Sequence, residues 1–187
     1  MNKIQAIEAL VAALGPDDLV VCCNGMIGRE LYTVKDRPQS FYMIGSMGLG
    51  LSIGLGLALA RPKRRVVVLD GDGNVLMGMN VLASAASERP ANLTHVVVDN
   101  HAHASTGGQR TISDEIRLES VAGAAGYRAT HRAIDVDGFA SALRAARAQP
   151  GPVMVLGVVA PGTVKGIGRV LQTPQELAAR FRLEACR

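Results

Sequence analysis

Tryptophan is absent from this 187-residue chain, aromatic side chains make up only 3% of it, and no apolar run reaches the roughly 20 residues that span a bilayer. Each scarcity excludes something. With almost nothing to stack on bases, and a formal charge of +4 that is scattered rather than gathered into a basic tract, nucleic acid is an unforced partner. Small anionic ligands suit the balance better, and no membrane association is expected. The three cysteines, Cys22, Cys23 and Cys186, have neither CxxC nor zinc-ligand spacing, and the adjacent pair sits in an apolar run as core filler, so a reducing cytoplasm is the expected setting. The opening stretch shows no cleavage-site pattern, and the chain reads as soluble and unprocessed.

What remains is rich in Gly, Ala and Val, so a core must be built from small and branched side chains packed closely. That suits helices lying on a parallel sheet, and the length predicts one domain over residues 1–187. Ile4, Ile7, Leu10, Val11 and Leu14 follow helical spacing until Gly15-Pro16 stops them. DLVVCC (18–23) then reads as a buried strand, NGMIGRELYTV as helix or loop, and LGLSIGLGLALA as a helix buried and closely approached by other backbone. RRVVVLD (64–70) and THVVVDN (94–100) lack alternation, the mark of strands covered on both faces. A helix over NVLMGMNVLASAAS separates them. Beyond them the spacing predicts a loop over HAHASTGGQRTIS, a helix near 117–125, a weak strand at YRATHR, a helix over 137–148 and a strand at 152–159. A last helix over TPQELAARFRL has Thr173 as its cap and Pro174 in first position. This alternation predicts an α/β fold with a mostly parallel sheet of about six strands and helices on both faces.

In that fold ligands bind at the C-terminal ends of the strands. Asp72 stands just beyond the first VVV strand and Asn100 just beyond the second, 28 residues on, a span fitting one crossover helix. A carboxylate, an amide oxygen and a carbonyl from the following loop make a hard-oxygen site for Mg²⁺, whose remaining ligands would be phosphate and water. Gly71 and Gly73 would let the backbone approach that phosphate, and a helix opening at Asn74 would aim free N–H groups at it. A lone Gly-Asp-Gly is equally an ordinary turn; the pairing with Asn100 carries the reading.

At GDGN and the Asp99-Asn100 pair the sequence resembles the thiamine diphosphate enzymes, whose pyrophosphate-binding domain has GDG and then Asn-Asn. Asp99 replaces the first Asn of that pair. The resemblance implies thiamine diphosphate and Mg²⁺ as cofactors, with Asp72, Asn100 and the Ala102 carbonyl as metal ligands. It extends to FYMIGSMGLGLSIGLGLAL, similar to the segment that holds the aminopyrimidine, which places Gly45, Ser46 and Met47 at the cofactor and makes Met47 the wedge that bends it. A Met there is otherwise plain core. More narrowly, NGMIGREL, FYMIGSMG, GDGN, HASTGGQRT and APGTVKGIGRVLQTP resemble phosphonopyruvate decarboxylases and the beta subunits of sulfopyruvate decarboxylases.

What the resemblance implies is the cofactor-binding beta subunit of a lyase that decarboxylates 3-sulfopyruvate or 3-phosphonopyruvate, a small anionic 2-oxo acid, to the aldehyde. Alternatives are another thiamine-dependent decarboxylase or carboligase subunit, acetolactate synthase-like, and a non-catalytic Mg-diphosphate-binding partner. In the family a glutamate from a separate pyrimidine-binding domain activates the cofactor. Glu8 and Glu30 lie in the wrong context to replace it, so a pyrimidine-binding alpha subunit is the expected partner, with self-association through the apolar GSMGLGLSIGLG surface in its absence. His103, in the loop after Asn100, is the expected catalytic residue, as proton donor or carboxylate holder, against a plain solvated loop histidine. His101 and Arg110 are candidate substrate contacts, and Ser105 to Gln109 form a polar loop placed to cover the site. His95 and His131, at strand ends, read as structural. Asn24 either reaches a diphosphate oxygen or caps a helix. Lys165 and Arg169 match positions of those decarboxylases without an evident role.

Overall fold

The unbroken apolar runs become the middle of a parallel sheet. A computed structural model describes residues 1–162 and 166–187; Lys165 lies outside the described residues. In chain order come α1 (Lys3–Ala13), β1 (Leu19–Cys22), α2 (Met26–Lys35), β2 (Ser40–Tyr42), α3 (Gly50–Ala60), β3 (Val66–Gly71), α4 (Asp72–Met77) and α5 (Asn80–Glu88). Then follow β4 (Leu93–Asp99), a small hairpin of β5 (Ala102–His103) and β6 (Gln109–Arg110), α6 (Leu118–Ala125), β7 (Ala129–Ala133), α7 (Val136–Arg147), β8 (Val153–Val158) and α8 (Pro174–Ala185). The six main strands lie in the order β2-β1-β3-β4-β8-β7, every pairing parallel.

The runs lack alternation because both faces are dry. Val67, Leu69, Val96 and Val98 point into a core built with α1, α2 and α7, while Val66, Val68 and Val97 point into a second core under α3, α5 and α6. β3 and β4 are direct neighbours, with Asp70 opposite Val97 and Gly71 opposite Val98. From β1 the chain passes outward to β2, then returns to β3 on the other side of β1. This reversal opens a crevice above the C-terminal ends of β1 and β3, where an α/β sheet of this kind receives its ligand.

Three expectations are corrected. NVLMGMNVLASAAS is two helices, not one, and the first begins at Asp72 rather than Asn74. The break falls at Gly78, where a Cβ would stand 2.1 Å from the Gly48 carbonyl oxygen, so the loop before α3 presses on the backbone between the two helices. α3 itself is buried on one face only, with Ile53 and Leu59 exposed on the other. Gly50 and Gly54 meet side chains rather than backbone, a Cβ on Gly54 standing 2.1 Å from Val68 Cγ2, and Gly56 faces open space. Finally, the stretch after Asn100 is not all loop but contains the β5–β6 hairpin. The terminal helix is as expected, with Thr173 and Glu176 forming a reciprocal capping box ahead of Pro174.

Gly78→Ala tests the break. Overpacking against an unyielding carbonyl is expected to cost about 1–3 kcal/mol, a fall of several degrees in melting temperature. A melting curve unchanged from the parent would show that the two segments are not held apart by this contact.

Candidate active site

Four segments meet at the crevice: Asn24 to Ile27 after β1, Met47 before α3, Gly71 to Asn74 after β3, and Asn100 with Ala102 to Ser105 after β4. Asp72 is 2% exposed and anchors them. Its Oδ2 accepts from the Thr111 hydroxyl and, at 3.2 Å, from Ser113. Burial is the first cause that lifts the Asp72 carboxyl above the usual carboxylate range; the Thr111 hydrogen bond opposes it, and the charge of Asp99 adds to it.

One terminal atom of the Asn100 carboxamide lies 3.0 Å from the Ala102 carbonyl oxygen and 3.2 Å from Asp72 Oδ1. With nitrogen there, the amide donates to both. With oxygen there, three oxygens converge without a hydrogen among them, which is the donor set of a hard cation. The residues expected to hold a metal are thus brought within reach of one another by β3 and β4. Among the described residues no cluster of three His, Cys, Asp or Glu side chains exists to hold a metal in another way.

The glycines also have a packing reason. A Cβ on Gly71 would stand 2.9 Å from Ile27 Cδ1, and one on Gly73 would stand 2.8 Å from His103 Cε1 and 3.0 Å from Met47 Cε. Both positions are crowded by side chains. Gly73 is therefore what lets His103 and Met47 close over the Asp72 turn. Met47 is presented by a sharp bend in which Ser46 (φ 58°) and Gly48 (φ 86°) are both left-handed, a conformation that costs a residue such as serine about 1–2 kcal/mol. Asn74 holds that bend, its side-chain oxygen accepting from the Gly48 N–H at 2.9 Å. Asn74 thus positions Met47 through its own side chain. Gly45 has open space around it.

Of the histidines, His103 lines the crevice and His101 does not. His101 has left-handed backbone (φ 56°) and turns back on the chain, with Nδ1 2.8 Å from Ser113 Oγ and 3.1 Å from Asp99 Oδ1. Asp99 also accepts from the His101 N–H at 3.1 Å and from the Ser113 hydroxyl at 2.8 Å. A carboxylate at position 99 is thus matched to two donors, with the His101 ring beside it. Arg110 is exposed and forks onto Asp114 and Glu115 rather than facing the crevice. His95 is fully buried against Asp70, 3.2 Å away, within the core, and His131 lies 3.4 Å from Gln149. Asn24 lines the crevice without capping α2, whose first turn has no side-chain cap.

Three residues of the site have no signal in the sequence reading. Thr111 and Ser113 join the two aspartates, and only their alternate spacing in TIS hints that both face one way. Lys3, on α1, is 4% exposed and lines the crevice with Nζ 2.9 Å from Glu30 Oε1. Neither Glu30 oxygen accepts a well-directed hydrogen bond, so the contact is a buried ion pair, one that costs several kcal/mol if only one partner is removed. No spacing rule joins positions 3 and 30.

The Thiamine pyrophosphate enzyme, C-terminal TPP binding domain, matches residues 20–156. Phosphonopyruvate decarboxylase of Streptomyces viridochromogenes is 49% identical over 97% of this chain, which spans only 45% of that relative. Sulfopyruvate decarboxylase subunit beta of Methanothermobacter thermautotrophicus is 46% identical over 87% of this chain and 84% of that subunit. Among solved structures, the thiamine diphosphate-dependent 4-hydroxybenzoylformate decarboxylase of Rhodococcus jostii RHA1 superposes with a TM-score of 0.72 at 20% identity, covering 89% of this chain and 33% of that one. The last likeness shows the fold. Together with the sequence matches it shows that this chain belongs to the thiamine pyrophosphate enzymes and carries their C-terminal TPP-binding domain.

Proposed function

We propose that the chain is the cofactor-binding beta subunit of a decarboxylase that converts 3-sulfopyruvate or 3-phosphonopyruvate to the aldehyde and CO₂. The observation that carries the proposal is the convergence of Asp72, Asn100 and the Ala102 carbonyl beneath His103 and Met47. Those three oxygens would hold Mg²⁺, and the metal would hold the diphosphate of thiamine diphosphate, with Lys3, neutralised by Glu30, in the lining. When bound, the cofactor supplies a carbon nucleophile and an electron sink for the carboxylate that leaves.

The chain's own residues do the rest. Met47, backed by Asn74 and Gly73, forms a fixed apolar edge to the crevice. His103 faces the same crevice and would hold a proton for the product carbon, or the substrate carboxylate before it leaves. His101 is committed to Asp99 and Ser113, and its part is to fix the turn between Asn100 and Ala102. Among the described residues that line the crevice there is no glutamate. Glu8 is exposed on α1 and Glu30 is sealed under Lys3. A pyrimidine-binding alpha subunit therefore supplies the activating glutamate in this proposal. The surface that would receive it carries Ile44 at 69%, Leu49 at 49% and Met77 at 67% exposure, apolar side chains that a partner, or a second copy of this chain, would cover. Among the described residues no helix is long and apolar enough to cross a membrane.

In the complex with its pyrimidine-binding subunit, His103→Ala is expected to lower turnover of either acid by about 10²-fold while leaving thiamine diphosphate affinity unchanged. Aldehyde release and calorimetry read the two effects separately. Near-normal turnover would make His103 a bystander.

A further inference from the structure

Beside the crevice lies a larger cavity of about 350 Å³ that shares Asn24, Gly25 and Ser105 with it. Its lining includes Arg29, in the first turn of α2, and Arg169 and Gln172, on the segment leading to α8. No carboxylate lines this cavity among the described residues. Among the described residues neither guanidinium has an ion-pair or hydrogen-bond partner, in contrast to Arg110, Arg117, Arg132, Arg147, Arg180 and Arg187, each of which has an acidic partner. The buried Asn24 Oδ1 and Gln172 Oε1 are also without partners.

Two unneutralised arginines lining one cavity define a place for a tetrahedral or planar anion, because each guanidinium offers paired donors in the fork geometry that oxyanions match. Resting on the function proposed above, we infer that Arg29 and Arg169 bind the sulfonate or phosphonate head of the 2-oxo acid while its oxo carbon lies in the adjoining crevice. The shared residues Asn24, Gly25 and Ser105 form the passage between head and reacting carbon. Specificity for an acid with a second anionic group then comes from this chain. The unpartnered oxygens of Asn24 and Gln172 accept from the arginines once the anion draws them in, or from the hydroxyl of a protonated phosphonate.

Arg169 is exposed and can be changed without threat to the fold. In the complex with the pyrimidine-binding subunit, Arg169→Glu and Arg29→Lys are each expected to raise KM for sulfopyruvate and phosphonopyruvate at least tenfold. Slow turnover of pyruvate, which lacks the head group, and thiamine diphosphate affinity are expected to hold within twofold. In parallel, the side-chain Nε–Hε resonances of Arg29 and Arg169 in the full 187-residue chain are expected to shift saturably with methanesulfonate or methylphosphonate, the stronger of the two naming the preferred head. Equal KM effects on pyruvate and on the two anionic acids, or resonances that ignore both anions, would overturn the inference. A wild-type complex that turns over neither acid would instead overturn the proposed function, and the anion titration alone would then decide whether the cavity is an anion site.

Discussion

Asp72→Asn abolishes binding of Mg²⁺ and thiamine diphosphate together while leaving the cofactor-free chain at least as stable as its parent at neutral pH. The two halves of this expectation have one cause. Buried beside Asp99, the Asp72 carboxyl is held above its ordinary range. A folded pKa above the unfolded one means that folding favours the protonated form. The stability this brings is fully present below the unfolded carboxylate pKa of about 3.9, and is lost as pH rises through the raised value. At neutral pH the ionised group therefore works against folding, and a cation is what its charge is for. Neutral asparagine has no such dependence and can still accept from Thr111, so its advantage over aspartate should be present near pH 7 and vanish on acidification. Melting curves without cofactor across that pH range, and calorimetry with Mg²⁺ and thiamine diphosphate, read the two halves. Asp72→Ala should lose binding as well, but with a loss of stability, because the buried Thr111 hydroxyl is left without its carboxylate acceptor. Unchanged cofactor affinity in either variant, with Mg²⁺ present, would remove the site from this account.

Purified by itself, the 187-residue chain is expected to turn over neither sulfopyruvate nor phosphonopyruvate, and to gain activity on mixing with a pyrimidine-binding subunit, thiamine diphosphate and Mg²⁺. The crevice offers a cluster of oxygens, an apolar edge and a histidine, but no carboxylate besides Asp72 lines it among the described residues, and that one is committed to the oxygen cluster. Activation of the cofactor through its pyrimidine needs a further acid. Losing a required proton-transfer partner costs about 10²–10⁴-fold in rate, so the contrast between chain and mixture should be large in a coupled aldehyde assay. The apolar side chains of Ile44, Leu49 and Met77 predict that mixing also changes the assembly, with the chain's self-association giving way to a mixed complex visible by light scattering. If the chain alone matched the mixture, an internal glutamate would have to act, and Glu30 would need to leave Lys3 to do so.

The elements were legible because their periods are local. β3 and β4 are runs of branched residues with no polar side to show, which is how a strand buried on both faces must read, and the crossover between them fixes them as parallel neighbours on one edge. From that alone Asp72 and Asn100 could be placed together. The helix break at Gly78 was not legible, since the residue that forces it, Gly48, is thirty positions away and acts through a carbonyl oxygen.

Site chemistry divides along the same line. The sequence by itself determined the sheet, the edge on which the candidate site lies and the adjacency of Asp72 and Asn100 at the ends of two neighbouring strands, because strand direction and crossover handedness carry a residue's position in sequence into a position in space. Only the tertiary structure decided which neighbours the site residues have: Thr111 and Ser113 bridging the aspartates, His101 turned inward and His103 toward the crevice, Lys3 paired with Glu30, and Arg29 and Arg169 lining one cavity. These pairs join segments as far as 140 residues apart in the chain. Their contact depends on how loops and helix ends pack above the sheet, and packing of that kind leaves no period in the sequence to read.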